Sequence, residues 1–177
     1  VNYHNVDLKL INKYLKENKS KYLEINKIFF KLASLSITSQ KNDLQKIENV
    51  AHQLKKKESI IVLGIGGSNL GARALINILY GKEEKKIYFY DNIDPIYFST
   101  SILKLNLNKL GFIVISKSGS TPEILSQFSA IIEIFKSNNM PHNLFNDFVI
   151  ITQNHNSPLR KIAKKLNCKI LDHDPNI

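Results

Sequence analysis

The spacing of hydrophobic positions changes once along the chain. Before residue 59 it is helical. Leu44, Ile47, Val50, Ala51 and Leu54 recur three and four apart, which predicts a helix over Leu44–Leu54 with one apolar face. Tyr22–Leu35 and Val6–Leu15 are further helical candidates, and nothing in residues 1–58 reads as a strand. From residue 59 short β-branched runs alternate with helical stretches. The runs are Ile60–Leu63, Ile87–Tyr90, Phe112–Ile115, Phe148–Thr152 and Lys169–Leu171. The stronger ones are apolar throughout, as strands covered on both faces are. Between them lie Leu70–Leu79, Pro95–Leu105, Pro122–Phe135 and Pro158–Leu166. Asp94-Pro95, Thr121-Pro122 and Ser157-Pro158 each set a capping oxygen before a proline at the first helical position. The expected architecture is α/β, a three-layer doubly wound sheet of five parallel strands in the order 2-1-3-4-5 over residues 59–177, behind an N-terminal helical segment over residues 1–58.

Composition narrows the function classes. At 177 residues and 43% apolar, the chain supports a packed core. Its one cysteine, Cys168, excludes a disulfide scaffold and a multi-cysteine metal site, and reads as a small buried apolar residue. The five histidines lack metal-ligand spacing, so no metal is expected. No apolar run reaches the roughly 18 residues of a membrane span, and no leader pattern opens the chain, so a cytoplasmic setting is expected. The first residue, Val1, hints at a fragment. The net charge of +10 invites nucleic acid as a partner. However, only Arg73 and Arg160 among the 25 basic residues are arginine, and arginine forks are what such sites use. The lysines read as a solvated surface able to steer anionic small molecules.

The chemistry concentrates in two loops at strand ends, where doubly wound sheets place their sites. After the first strand comes Gly64-Ile65-Gly66-Gly67-Ser68-Asn69-Leu70-Gly71, which holds four of the chain's seven glycines. Glycines let a ligand approach the backbone, the helix that follows offers free N–H groups to an anion, and Ser68 adds a hydroxyl. A tight turn without ligand is the bland reading. A dinucleotide fingerprint is the rival: Asn69 stands where its third glycine belongs, while Asp91 closes the second strand where a ribose-binding acid sits. After the third strand comes Ser116-Lys117-Ser118-Gly119-Ser120-Thr121-Pro122-Glu123. Hydroxyls, backbone N–H groups and one ammonium form a phosphate cradle by residue type. Thr121 reads alternatively as a helix cap alone, and Glu123 as a complement to the helix dipole. His173 ends near the carboxyl end of the last strand, and Asp172 and Asp174 read as turn residues before Pro175.

Ser116-x-Ser118-Gly119-x-Thr121 resembles the phosphate loop of the sugar isomerase (SIS) domain superfamily. Gly64-Ile65-Gly66-Gly67-Ser68-x-Leu70-Gly71 is similar to the first-strand loop of the glucose-6-phosphate isomerase family, and Asn92-Ile93-Asp94-Pro95 to that family's Asn-x-Asp stretch. The resemblance implies that Gly67 and Ser68 line a sugar phosphate pocket and that Ser116, Lys117, Ser118 and Thr121 hold the phosphate. It departs at Ser118-Gly119-Ser120, where many members carry Thr-Phe-Thr, and at Ile124, where a second hydroxyl is common. It further implies aldose–ketose isomerisation between glucose 6-phosphate and fructose 6-phosphate without a cofactor, and a homodimer when full length. No catalytic residue is expected within this chain. The family's carboxylate base, ring-opening histidine and lysine, and arginine come from segments after a stretch like Asp174-Pro175-Asn176-Ile177, so the chain reads as an N-terminal part holding the phosphate site. The alternative is a non-catalytic phosphosugar-sensing SIS domain, disfavoured because residues 1–58 lack a compact helix-turn-helix.

Overall fold

The computed structural model describes residues 8–29, 32, 34, 37, 41, 43–80 and 86–177. The chain divides into two compact units, one of residues 1–42 with 176–177 and one of residues 43–175. The first contains α1 (Leu8–Glu17) and α2 (Lys19–Phe29). Asn18 ends α1 by giving both its backbone N–H and its side-chain amide to the Tyr14 carbonyl, at 3.1 and 2.9 Å. The expected helices Val6–Leu15 and Tyr22–Leu35 overlap these two. Residues 6, 7, 30, 31, 33 and 35 of those expectations lie outside the described residues.

The second unit opens with α3 (Leu44–Leu54) and continues as β1 (Ser59–Leu63), α4 (Gly67–Tyr80), β2 (Ile87–Tyr90), α5 (Pro95–Leu103), β3 (Leu110–Ile115), α6 (Pro122–Ser137), β4 (Phe148–Gln153), α7 (Pro158–Lys165) and β5 (Lys169–His173). All strand pairs are parallel and the order is β2-β1-β3-β4-β5, as the alternation of periods predicts. The central strands β1, β3 and β4 are the apolar ones and are mostly buried, whereas β2 and β5 at the edges are largely half-exposed. Leu63 lies opposite Val114, and Ile115 opposite Ile151. This register brings the loops after β1, β3 and β4 out together at the carboxyl end of the sheet.

One face of the sheet carries the main core. Ile61, Leu63, Phe112, Val114, Phe148 and Ile150 meet Phe98 and Ile102 of α5, Ile124, Phe128, Ile131 and Phe135 of α6, and Leu159 and Ala163 of α7. Phe112 and Phe148 stack at 4.1 Å between ring centroids, with Phe135 edge-on to both. Alternation along β3 turns Gly111 to the opposite face, and there α3 packs. A Cβ at Gly111 would lie 2.7 Å from Leu54 Cδ2. Gln53 donates to the Asn146 carbonyl and to Asp147, with which Lys57 pairs. Helix α3, helical in sequence like the segment before it, is thus clamped onto the sheet. Cys168 is buried just before β5, and burial pushes its thiol up to about 12. Among the described residues no helix is long and apolar enough to cross a membrane.

Candidate functional site

The loop after β1 turns sharply into α4. Gly66 takes φ +57°, a left-handed conformation that glycine adopts without steric cost, and its carbonyl accepts from Asn69 and Leu70 N–H at 3.1 and 3.0 Å. Asn69 is fully buried. Its amide donates to the Gly64 carbonyl at 2.9 Å and closes the turn from inside, while its Oδ1 has no hydrogen-bond partner among the described residues. A dinucleotide fold needs a third glycine at this place for close packing of helix on strand. Here a buried amide occupies it. Asp91, the acid a ribose would require, faces Arg73 at 3.4 Å. At Gly67, the first residue of α4, a Cβ would meet nothing within 4 Å.

The loop after β3 is built more tightly. Ser116 is buried, its N–H donates to the Ile151 carbonyl at 3.0 Å, and its Oγ accepts from Gly119 N–H at 3.1 Å. Gly119 takes φ +62°, and a Cβ there would overlap Ser157 Oγ and approach Thr152 Oγ1 to 2.8 Å. Ser120 steadies Ser118, giving its N–H and its hydroxyl to Ser118 Oγ at 3.2 and 3.0 Å. That leaves the Ser118 hydrogen for a ligand. Lys117 is exposed and has no ion-pair partner among the described residues.

Of the three expected caps, two form. Asp94 accepts from Ile96 and Tyr97 N–H, both at 3.0 Å, and Ser157 from Arg160 N–H at 3.3 Å. Thr121 does not cap α6. Its Oγ1 is 2.8 Å from Ser116 Oγ, across the loop, so the first turn of α6 has no side-chain cap. The physical reason is competition: a buried neighbouring hydroxyl engages Thr121 before its own helix does. The N–H groups this leaves uncapped, together with the helix dipole, favour an anion.

Both loops open on a cavity of about 370 Å³ lined by Ile65, Ser68, Ile115, Ser116, Lys117, Ser118, Thr121, Ile124 and Gln153. The structure therefore brings Ser68 to the same wall as Ser116, Lys117, Ser118 and Thr121. Gly67, one residue from Ser68, does not line it, and neither do Asp172, His173 or Asp174. A larger hollow of about 760 Å³ lies in the N-terminal unit against Tyr14, Leu15, Ile25 and several lysines, without a glycine turn or serine hydroxyls.

Sequence reasoning missed the β4 side of the site. The Lys117 carbonyl accepts from Gln153 N–H at 3.1 Å, and the Gly119 carbonyl from Leu159 N–H at 3.0 Å. Arg160 spans the Gln153 carbonyl at 3.2 Å and Asp172 at 2.7 Å. The segment from Thr152 to Arg160 thus braces the serine loop from below. The only sequence sign of it was Ser157-Pro158, read as a cap. Gln127 of α6 likewise ties down the loop after β2, donating to the Asn92 carbonyl at 2.9 Å.

The sequence pattern of phosphoglucose isomerase matches residues 18–163. The glucose-6-phosphate isomerase of Carboxydothermus hydrogenoformans is 32% identical over 146 residues, covering 76% of this chain and 31% of that protein. The chain spans under a third of the length of the first curated relatives it matches. The crystal structure of a glucose-6-phosphate isomerase from Chlamydia trachomatis superposes with a TM-score of 0.63 at 25% identity, over 76% of this chain and 25% of that one. A hypothetical protein, TT0462, from Thermus thermophilus shares the fold with a TM-score of 0.84 at 20% identity, over 96% of this chain and 42% of that one. The serine cradle, the glycine turn beside it and the match across both put the chain in the phosphoglucose isomerase family.

Proposed function

We propose that this chain holds the phosphate end of a sugar phosphate for an enzyme that interconverts glucose 6-phosphate and fructose 6-phosphate. In this reading Ser116, Lys117, Ser118 and Thr121 hold the phosphate, and Gly67 and Ser68 border the sugar. One observation carries it: Thr121 stands at the start of α6 yet leaves that helix without a side-chain cap, at the rim of a hydroxyl-lined cavity. An anion is the natural partner for such a helix start. The relatives named glucose-6-phosphate isomerase support the choice of sugar. Among the described residues no carboxylate lines the cavity, and in this reading the proton-transfer groups of the isomerisation come from outside these 177 residues. The phosphate handle then contributes remote binding energy that orients the reacting carbons.

Calorimetric titration with glucose 6-phosphate, with glucose and NAD as controls, tests the reading. The phosphorylated sugar is expected to bind and the controls are not. Ser118→Ala combined with Thr121→Ala should weaken binding by about 1–3 kcal/mol, since both donors then face a charged oxygen. Unchanged affinity would reduce the loop to the start of a helix. A coupled assay on the 177 residues alone should show no turnover, and full turnover would place the base within this chain.

A further inference from the structure

The loop after β3 lies at the middle of the site, with the loop after β1 on one side and the loop after β4 on the other. Ser68 comes from the first flank and Gln153 from the second, and both line the cavity. The backbone of Gln153 is fixed on both sides. Its N–H is held by the Lys117 carbonyl, and its carbonyl by Arg160 Nη1 and by His155 N–H at 2.9 Å. Its side chain is half-buried, and the carboxamide has no hydrogen-bond partner among the described residues. A partly desolvated amide on a fixed backbone at the cavity wall is placed to reach a ligand.

The chemistry of the amide selects which part of the ligand. A phosphate dianion only accepts hydrogen bonds, and the serine loop, Lys117 and the start of α6 already offer it donors. A carboxamide both donates and accepts, which matches neighbouring hydroxyls that do the same. The cavity of about 370 Å³ also has room beyond a phosphate group. We propose that Gln153 hydrogen-bonds the hydroxyls of the bound sugar and is a specificity-determining residue of this site. The proposal rests on the sugar phosphate reading above and adds to it the wall that reads the sugar.

The test follows backbone and side-chain amides by NMR while the full chain is titrated with inorganic phosphate and, separately, with glucose 6-phosphate. Both ligands should shift the Gly119 and Thr121 N–H signals, and only glucose 6-phosphate should shift the Gln153 side-chain NH₂. Gln153→Ala should weaken glucose 6-phosphate about three- to tenfold and inorganic phosphate less than about twofold. Gln153→Met, which keeps the length without the amide, should do the same and guards against a loss caused by altered packing. Equal weakening of both ligands would make Gln153 a phosphate ligand and overturn the proposal, as would no weakening of either. If neither ligand shifts Thr121 in the unaltered chain, the phosphate reading itself fails and this one with it.

Discussion

In the loop after β3, a Cβ added at Gly119 would overlap Ser157 Oγ and sit 2.8 Å from Thr152 Oγ1, on a backbone held at φ +62°. In the loop after β1, a Cβ added at Gly67 or Gly71 would meet nothing within 4 Å, and neither residue has a positive φ. The folded chain therefore demands glycine at position 119 and does not demand it at 67. The space open to a Cβ at Gly67 adjoins Ser68, which lines the cavity, while Gly67 itself does not. A run of glycines looks uniform in a sequence, yet its members answer to different constraints.

Substitution separates the two. Gly119→Ala carries the largest expected cost, about 2–4 kcal/mol of stability from the left-handed backbone plus the overlap with Ser157. Urea unfolding would measure it, and glucose 6-phosphate binding should be lost with the loop. Gly67→Ala should change stability by less than about 1 kcal/mol, toward greater stability because alanine suits a helix start without strain. Where Gly67 borders the sugar, as proposed, the variant should nevertheless weaken glucose 6-phosphate binding about tenfold. Equal destabilisation by both variants would erase the contrast. Full affinity in Gly67→Ala would leave the space without a use.

Cys168 gives a reference outside both loops, with the smallest effect at neutral pH. Burial holds its native thiol up to about 12, against an ordinary value of 9.0. The native state therefore keeps a proton that the unfolded chain loses above pH 9. This group leaves stability unchanged below pH 9 and lowers it as pH rises from 9 toward 12. Unfolding curves for the unaltered chain and Cys168→Ala should run parallel up to pH 9 and converge above it, and curves that stay parallel to pH 11 would remove the burial effect. A thiol reagent at pH 8 should label the unfolded chain and spare the native one.

Much of the architecture was legible because it is written locally. Apolar β-branched runs marked β1, β3 and β4, and capping residues before Pro95 and Pro158 set the starts of α5 and α7. The loops of the candidate site were legible where they too are local, in Ser116–Thr121 and Gly64–Gly71. What escaped depends on strands that are distant in sequence and adjacent in space. The Ser116–Thr121 contact is close in sequence yet also escaped, because residue types do not say that the loop folds back to join the two hydroxyls. A single glutamine after a strand looks like a solvated residue. Only the β3–β4 pairing places Gln153 on the cavity wall. Asn69, weighed as a missing glycine, is a buried strut across the turn.

The brace from β4 to the serine loop also bears on motion. Gly119 is held by Ser116 within its own loop and by Leu159 at the start of α7, so it has no independent hinge. Opening the serine loop requires breaking its hydrogen bond to the first turn of α7, whereas the loop after β1 is closed by its own internal bonds. The amides of Gly119, Gln153 and Leu159 should then exchange with solvent as one cooperative unit, slower than an exposed loop and at a common free energy. A ligand seated on Ser118 would slow exchange as far away as Leu159, on a helix it never touches.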